Sequence, residues 1–108
     1  MSADRRRAGG PAASPSVPAE ERQAIVNRGF RQDLGWWIAS HPRTASRVMR
    51  LVEEVIRDPF VGTGKPEALR HDRHGEWSRR ITDVDRLVYF VAGAAIYFLT
   101  ARGHYGRD

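Results

Sequence analysis

Cysteine is absent from this chain of 108 residues, so disulfide bridges and zinc sites built from thiolates are excluded. Long apolar runs are absent as well. No stretch approaches the roughly 20 residues that a membrane-spanning helix needs, and we expect no membrane partner. The basic cluster at residues 5–7 is followed by GGPAASPSVP instead of the apolar segment of a secretion signal. We therefore expect a cytoplasmic protein.

A strong excess of charge is missing from the main part of the chain. The net charge is +5, and residues 1–18 carry three Arg and one Asp of the total. The other residues hold 15 basic and 12 acidic side chains. Because residues 1–18 are mostly Gly, Pro, Ala, Ser and Arg, we predict a disordered tail there and a single domain over residues 19–108. A nucleic-acid site must then depend on local clustering of cations.

Hydrophobic periodicity predicts an α+β fold. The short run AIV predicts a first strand within residues 22–28. Two amphipathic helices follow, with apolar stripes at Phe30, Leu34, Trp37 and Ile38, and at Ala45, Val48, Met49, Val52, Val55 and Ile56. A turn-rich loop over residues 60–75 precedes three strand-like runs, over residues 77–82, 86–91 and 95–101. We predict an antiparallel sheet of about four strands packed on an N-terminal helical hairpin, with one sheet face left open.

Cations are concentrated in the stretch GTGKPEALRHDRHGEWSRRITDVDRLVY, which covers residues 62–89. Arg and Lys at this density match the needs of a phosphate backbone better than those of a core. Strand alternation puts Arg79 and Arg80 on opposite faces of the sheet. At most one of them can therefore join a site on the open face.

The chain also holds groups for acid–base chemistry. Glu67 as general base, Arg86 as phosphate clamp and His104 as general acid would suit RNA cleavage by attack of the 2′-hydroxyl, without a metal or cofactor. Each group has a simpler interpretation. A loop carboxylate is usually solvated, a His near a chain end is often incidental, and paired Arg on strands can protect a sheet edge.

A metal site is the main alternative use of the histidines. The spacing His71-x-x-His74, with Glu67 or Asp72 as a third ligand, lacks a fourth ligand of the usual kind. The sequence GTGKP also lacks the spacing of a nucleotide-binding loop. We therefore predict no metal site and no cofactor.

The segment GKPEALRHDRHGEWSRRITDVDRLVYFV, with the pair His104-Tyr105, resembles the Txe/YoeB family of bacterial toxins within the RelE superfamily. That family shows GKPEPLK, G-x-WSRRI, HRLVY and a C-terminal RYHY in the same order, and the resemblance covers about residues 23–105. It implies a RelE-like fold and a ribosome-dependent mRNA endonuclease, the toxin of a type II toxin–antitoxin module. It also implies cleavage in the ribosomal A site, a YefM/Axe-like antitoxin that holds the toxin inactive, and often a homodimer.

The resemblance further implies roles for individual residues. Glu67 matches the family's general base, and His104 matches its general acid. Arg86 matches the arginine that stabilises the scissile phosphate, and Tyr105 matches a tyrosine that helps to place the substrate. Further RNA or phosphate contacts are expected at Lys65, Arg70, Arg79 and Arg80, with Arg70 in place of the family's usual Lys.

Three positions depart from the family pattern. Asp85 stands where His is common, and we expect little effect. Gly103 replaces an aromatic residue before the His-Tyr pair, which could loosen the site. The chain continues past Tyr105 as Gly-Arg-Asp, which displaces the terminal carboxylate. Gly103 and the extended C-terminus suggest one alternative, a decayed or regulatory homologue. A separate alternative is a module without catalysis, either an inhibitor that binds the ribosome or RNA or an operon co-repressor.

Overall fold

The computed structural model describes residues 17–69 and 75–103. A short 3₁₀ turn at Ala19–Glu21 precedes two helices and five strands in these ranges. In chain order they are β1 (Gln23–Val26), α1 (Arg28–Ser40), α2 (Pro42–Arg57), β2 (Glu67–Ala68), β3 (Glu76–Arg80), β4 (Arg86–Ala92) and β5 (Ala95–Thr100). The predicted α+β fold with a helical hairpin is confirmed. None of the helices described here is both long and apolar enough to cross a membrane.

The two helices begin and end where the sequence places their boundaries. Pro42 occupies the first turn of α2, where its missing N–H costs no hydrogen bond. The helix ends before Asp58, which precedes a proline and adopts an extended backbone. Met49 and Ile38 were predicted in the apolar stripes, but they are 42% and 57% exposed. The faces that contact the sheet are therefore narrower than the stripes suggest.

The sheet has the strand order β1-β5-β4-β3-β2. The predicted antiparallel meander of β3, β4 and β5 is confirmed. The all-antiparallel prediction is wrong at one edge, because β1 pairs parallel with β5. An antiparallel helical hairpin returns the chain to its starting side, so β1 joins the last strand in the same direction. The second difference is β2, a pair of residues within the predicted loop, which is too short to show a periodicity.

The core lies between the helices and one face of the sheet. Helical side chains such as Phe30 and Val48 pack there against alternate residues of the central strands: Leu87, Tyr89, Val91, Ile96 and Phe98. The intervening residues of the same strands, including Arg86, point to the other face. We call that other face the open face.

A β-bulge changes the alternation near the end of β5. Tyr89 faces Phe98, but the preceding Val88 faces Thr100, so β5 has one extra residue between these pairs. Thr100 therefore lies on the open face, whereas a regular strand would put it on the same side as Phe98. Ala101 follows on the core side and is fully buried. Simple strand alternation, which would put Ile96, Phe98, Thr100, Arg102 and His104 on one face of a regular strand, therefore fails after Phe98.

Candidate functional site

Two arginines face each other across the open face. Arg80 of β3 is the register partner of Arg86 of β4. The backbone N–H of Arg80 donates to Gly64 O, and that of Arg86 donates to Gly103 O, so neither is used between the two residues. This is a non-hydrogen-bonded pair, in which Cα atoms are about 4.5 Å apart and side chains are closest. Like charges placed directly opposite each other destabilise a sheet. Because a bound anion would offset this repulsion, the pair is suited to an anionic ligand.

Arg86 has a buried donor that the described residues leave unused. Its side chain is half-buried, and its Nη1 atom is inaccessible to solvent without a hydrogen-bond partner. Across residues 17–69 and 75–103, neither Arg86 nor Arg80 forms an ion pair with a carboxylate. An unpaired guanidinium on a sheet face is suited to a phosphate, which accepts its hydrogen bonds in a planar fork.

The short strand β2 brings Glu67 onto the same face. Glu67 is the register partner of Ser78, which in turn faces Val88 of β4. With about 4.8 Å between neighbouring strands, the carboxylate lies two strands from β4 and one row of side chains from the arginine pair. Glu67 is exposed. This register places Glu67, Arg80 and Arg86 on the same face of the sheet.

Lys65 lies next to this face in an unusual conformation. It follows Gly64, whose carbonyl accepts the N–H of Arg80, and its side chain is exposed. Within the described ranges Lys65 is the one non-glycine residue with positive φ, at 54°. Backbone strain of this kind is found at functional sites more often than elsewhere.

Arg79 does not belong to the site, and its prediction as an RNA contact needs correction. Its side chain is fully buried on the core side of the sheet. The guanidinium donates to the carbonyl oxygens of Asp58, Val61 and Thr63 at 2.6, 3.1 and 3.2 Å, and to the hydroxyl of Tyr89 at 3.2 Å. Arg79 therefore holds the loop after α2 against β3 and has no donor to spare for RNA. Its apolar neighbours at i±2, Trp77 and Ile81, were the indication in the sequence.

Two groups with shifted pKa values, Glu54 and Tyr89, lie beside Arg79, which agrees with a structural role for this arginine. A hydrogen bond from the Thr63 N–H lowers the pKa of Glu54, and the charges of Arg79 and Arg57 lower it further. Glu54 Oε1 lies 3.5 Å from Arg79 Nη1. Burial raises the pKa of the Tyr89 hydroxyl, which donates to Pro59 O at 2.7 Å. Neither group faces the open side of the sheet, so neither is a candidate for catalysis.

Arg47, which the sequence does not mark as a site residue, stabilises the site from the helical layer. Arg47 of α2 donates from Nε to Ile81 O at 2.8 Å and from Nη2 to Arg80 O at 3.1 Å. These bonds fix the end of β3, where Arg80 begins its turn towards β4. An arginine on a helix face that also carries Arg43 and Arg50 gives no sign of this role in the sequence.

Some predicted residues lie outside the described ranges. These are Arg70, His104 and Tyr105, together with the histidines and aspartate of the alternative metal site, His71, Asp72 and His74. Their roles stay predictions. Among the residues that are described, no three His, Asp or Glu side chains form a group that could hold a metal ion.

The chain is similar to known toxins in sequence and in structure. The family of YoeB-like toxins of bacterial type II toxin–antitoxin systems matches residues 27–105. Toxin YoeB of Mycobacterium bovis is 47% identical over 74 residues, which are 68% of this chain and 87% of the relative. The solved YoeB/ParE toxin from Agrobacterium tumefaciens is 34% identical, with a TM-score of 0.73 over 77% of this chain and 99% of that one. A YoeB dimer and a YoeB–YefM complex, both from Staphylococcus aureus, are each 26% identical, with TM-scores of 0.72 and 0.69. They cover 79% and 78% of this chain and 99% and 98% of their own.

Proposed function

Because the chain belongs to the family of YoeB-like toxins of bacterial type II toxin–antitoxin systems, we propose that it inhibits translation as an endoribonuclease. Its substrate is mRNA in the A site of the ribosome, and the reaction needs no metal. Attack of a 2′-hydroxyl on the adjacent phosphate leaves a 2′,3′-cyclic phosphate and a 5′-hydroxyl.

The cross-strand pair of Arg80 and Arg86 is the observation that carries this proposal. Two like charges lie opposite each other on the open face, and among the described residues no carboxylate neutralises them. Arg86 also keeps a buried donor without a partner. A phosphate group supplies both the missing charge and the missing acceptor, and the charge that develops in the transition state strengthens the same contacts.

The other residues take their roles around this phosphate. Glu67 removes the proton of the 2′-hydroxyl, and His104 protonates the leaving 5′-oxygen. Tyr105 helps to place the substrate. Lys65 and Arg70 add contacts to the RNA backbone. Since Glu67 is exposed in the free chain, the ribosome and the bound mRNA complete the surroundings of the base and exclude water from it.

The surface around Arg80 and Arg86 is also suited to binding the antitoxin. A solved relative is a complex of YoeB with YefM, and we propose that a YefM/Axe-like antitoxin binds this chain as well. An acidic segment that covers Arg80 and Arg86 would neutralise their charges and block the phosphate. Another solved relative is a YoeB dimer, and a homodimer of this chain is part of the proposal.

Primer extension on an mRNA translated in a reconstituted system tests the activity. The wild type is compared with Glu67→Gln, His104→Ala and Arg86→Ala, with and without ribosomes. Arg50→Ala is the matched control, since it removes an exposed arginine from the helical layer. We expect ribosome-dependent new ends whose yield falls by about 100-fold or more in the three site variants, which is the scale of a general acid–base contribution. Arg50→Ala should cleave as the wild type does.

Other results would identify other functions. New ends on naked RNA would show a free ribonuclease. Stalled translation with intact mRNA would show a non-catalytic inhibitor, and the assignments of Glu67 and His104 would then be withdrawn.

A further inference from the structure

The chain between β5 and His104 leaves the sheet but is held by hydrogen bonds at Ala101 and Gly103 and by a ring contact at Arg102. Ala101 donates its N–H to Asp33 Oδ2 at 2.9 Å and accepts from Trp37 Nε1 at 2.7 Å. The guanidinium of Arg102 lies 3.6 Å from the centroid of the Trp36 ring. A segment without secondary structure normally has fewer and looser restraints than this. Such restraint, immediately before the proposed general acid, indicates a positioning function.

The last restraint on this segment is the carboxylate of Asp85, which lies in the turn between β3 and β4. Asp85 Oδ1 accepts the N–H of Gly103 at 2.7 Å, and Asp85 Oδ2 accepts the hydroxyl of Thr82 at 2.7 Å. The Thr82 oxygen in turn accepts the N–H groups of Val84 and Asp85 at 3.2 and 3.0 Å. Both carboxylate oxygens are thus engaged, so the side chain cannot rotate without breaking a short charge-assisted bond.

Both backbone polar atoms of Gly103 form hydrogen bonds. Its N–H is bound by Asp85, and its carbonyl accepts the N–H of Arg86 at 2.9 Å. Its φ of 81° lies in the region that glycine adopts without strain. Two consecutive residues, Asp85 at the end of the β3–β4 turn and Arg86 at the start of β4, therefore fix the residue that precedes His104. Arg86 is also the proposed phosphate clamp.

We infer that Asp85 is a positioning residue, which bridges Thr82 and Gly103 and thereby fixes, relative to Arg86, the residue that directly precedes His104 in the chain. The catalytic part of this inference rests on the proposed function. A general acid whose attachment point is fixed relative to the phosphate clamp needs less ordering to reach the leaving oxygen, and misplacement by about 1 Å can cost about 100-fold in rate. Asp85 does not touch the substrate and acts only through the backbone of Gly103.

Two substitutions separate the Gly103 hydrogen bond from the charge. Asp85→Ala removes both. Asp85→Asn removes the charge and keeps an oxygen that can accept the Gly103 N–H, whereas its NH2 group cannot accept the Thr82 hydroxyl. Asp83→Ala is the matched control, because Asp83 is an exposed carboxylate in the same turn. Thr82→Val, which removes the hydroxyl bound to the Asp85 carboxylate and the acceptor of the Val84 and Asp85 N–H groups, replaces Asp85→Ala if that variant does not fold.

Single-turnover cleavage of mRNA on programmed ribosomes measures the catalytic effect. We expect Asp85→Ala to lower the rate at saturating protein by about 10- to 100-fold, with a half-saturating concentration within about 3-fold of the wild type. Asp85→Asn and Asp83→Ala should stay within about 3-fold in both quantities. A residue that only stabilises the fold would change the active fraction without this split between the two quantities.

Amide hydrogen exchange of Gly103 tests the bridge without any reaction. We expect its N–H to exchange at least about 10-fold faster in Asp85→Ala and nearly unchanged in Asp85→Asn. Unchanged exchange in Asp85→Ala overturns the inference, and so does a cleavage rate equal to that of the wild type. If Asp85→Asn is as slow as Asp85→Ala, a retained acceptor for the Gly103 N–H does not determine the rate, and the inference is overturned. If the wild type itself does not cleave, the proposed function fails and the exchange of Gly103 alone decides the positioning role.

Discussion

Replacing Arg79 should damage the fold, whereas replacing its neighbour Arg80 should damage only the activity. The two residues are adjacent in sequence and identical in type, but they lie on opposite faces of β3. Arg79 is fully buried with four neutral acceptors and one carboxylate within 3.5 Å. Arg80 is exposed, and its side chain forms no ion pair with any described carboxylate. Each is therefore the natural control for the other.

The stability lost in Arg79→Ala can be estimated from the buried groups that lose their hydrogen-bond donor. Three carbonyl oxygens lose a charged donor, the Tyr89 hydroxyl loses one of its partners, and Glu54 loses its ion pair. Hydrogen bonds to charged groups contribute about 1.5–3 kcal/mol each, but they are not additive, and the loop carbonyls can partly regain water. Removal of one partner from a buried charged network costs about 3–5 kcal/mol in total. For a domain of this length that lowers the melting temperature by at least about 12 °C.

Thermal and urea unfolding followed by circular dichroism measures this loss. All variants carry Glu67→Gln, so that expression does not depend on the proposed toxicity. Arg79→Lys should lose about half as much as Arg79→Ala, because an ammonium keeps the charge but cannot reproduce the planar fork. Arg80→Ala should change the free energy of unfolding by less than about 0.5 kcal/mol. If Arg79→Ala unfolds within 1 kcal/mol (about 4–8 °C) of its parent, the structural role assigned to Arg79 is refuted.

Three further substitutions test stability. Gly35→Ala should stabilise the protein by about 0.5–1 kcal/mol in urea unfolding, because no heavy atom lies within 4 Å of the added Cβ in α1. Gly62→Ala should instead cost about 1–3 kcal/mol, since its φ is 142° and the Cβ would lie 2.7 Å from Arg79 Nη1; equal effects at the two sites would contradict this. Glu54→Gln should cost about 1 kcal/mol at pH 7. The lowered pKa of Glu54 stabilises the fold above its ordinary value of 4.5, and this contribution is lost as the pH falls through the folded-state pKa. Unfolding curves of Glu54→Gln and its parent should thus converge in acid, and a difference that is the same at pH 7 and pH 3 would exclude this origin.

Much of the fold could be predicted because it depends on local periodicity. The helices of Arg28–Ser40 and Pro42–Arg57 and the three strands of the meander follow from apolar spacing and from prolines at their boundaries. The parallel pairing of β1 with β5 could not be predicted in this way. It depends on how the helical hairpin packs, and the four residues of β1 carry no information about their partner.

The site was predictable in composition but only partly in geometry. Alternation correctly separated Arg79 from Arg80, but both were still assigned to RNA, because a buried arginine cannot be recognised until its carbonyl acceptors are known. The family resemblance is confirmed, and it identified Asp85 and Gly103 as departures. Taken separately, the Asp85 position predicts little effect and the Gly103 position predicts a looser site. The hydrogen bond between them shows that they form one structural unit, and no single position of the sequence reveals it.

The position of β5 also determines when the protein can fold during its own synthesis. Of the strands in residues 17–69 and 75–103 it is made last, yet it lies between β1 and β4. Val26 pairs with Phe98, so this contact closes a loop of about 70 residues. Until Ala95–Thr100 has emerged, β1 has no neighbour and β4 has an unpaired edge. The sheet therefore closes only after β5 has been translated. Gly103, whose carbonyl accepts the Arg86 N–H, follows β5, so a nascent chain that stops before β5 has neither a complete sheet nor a complete site.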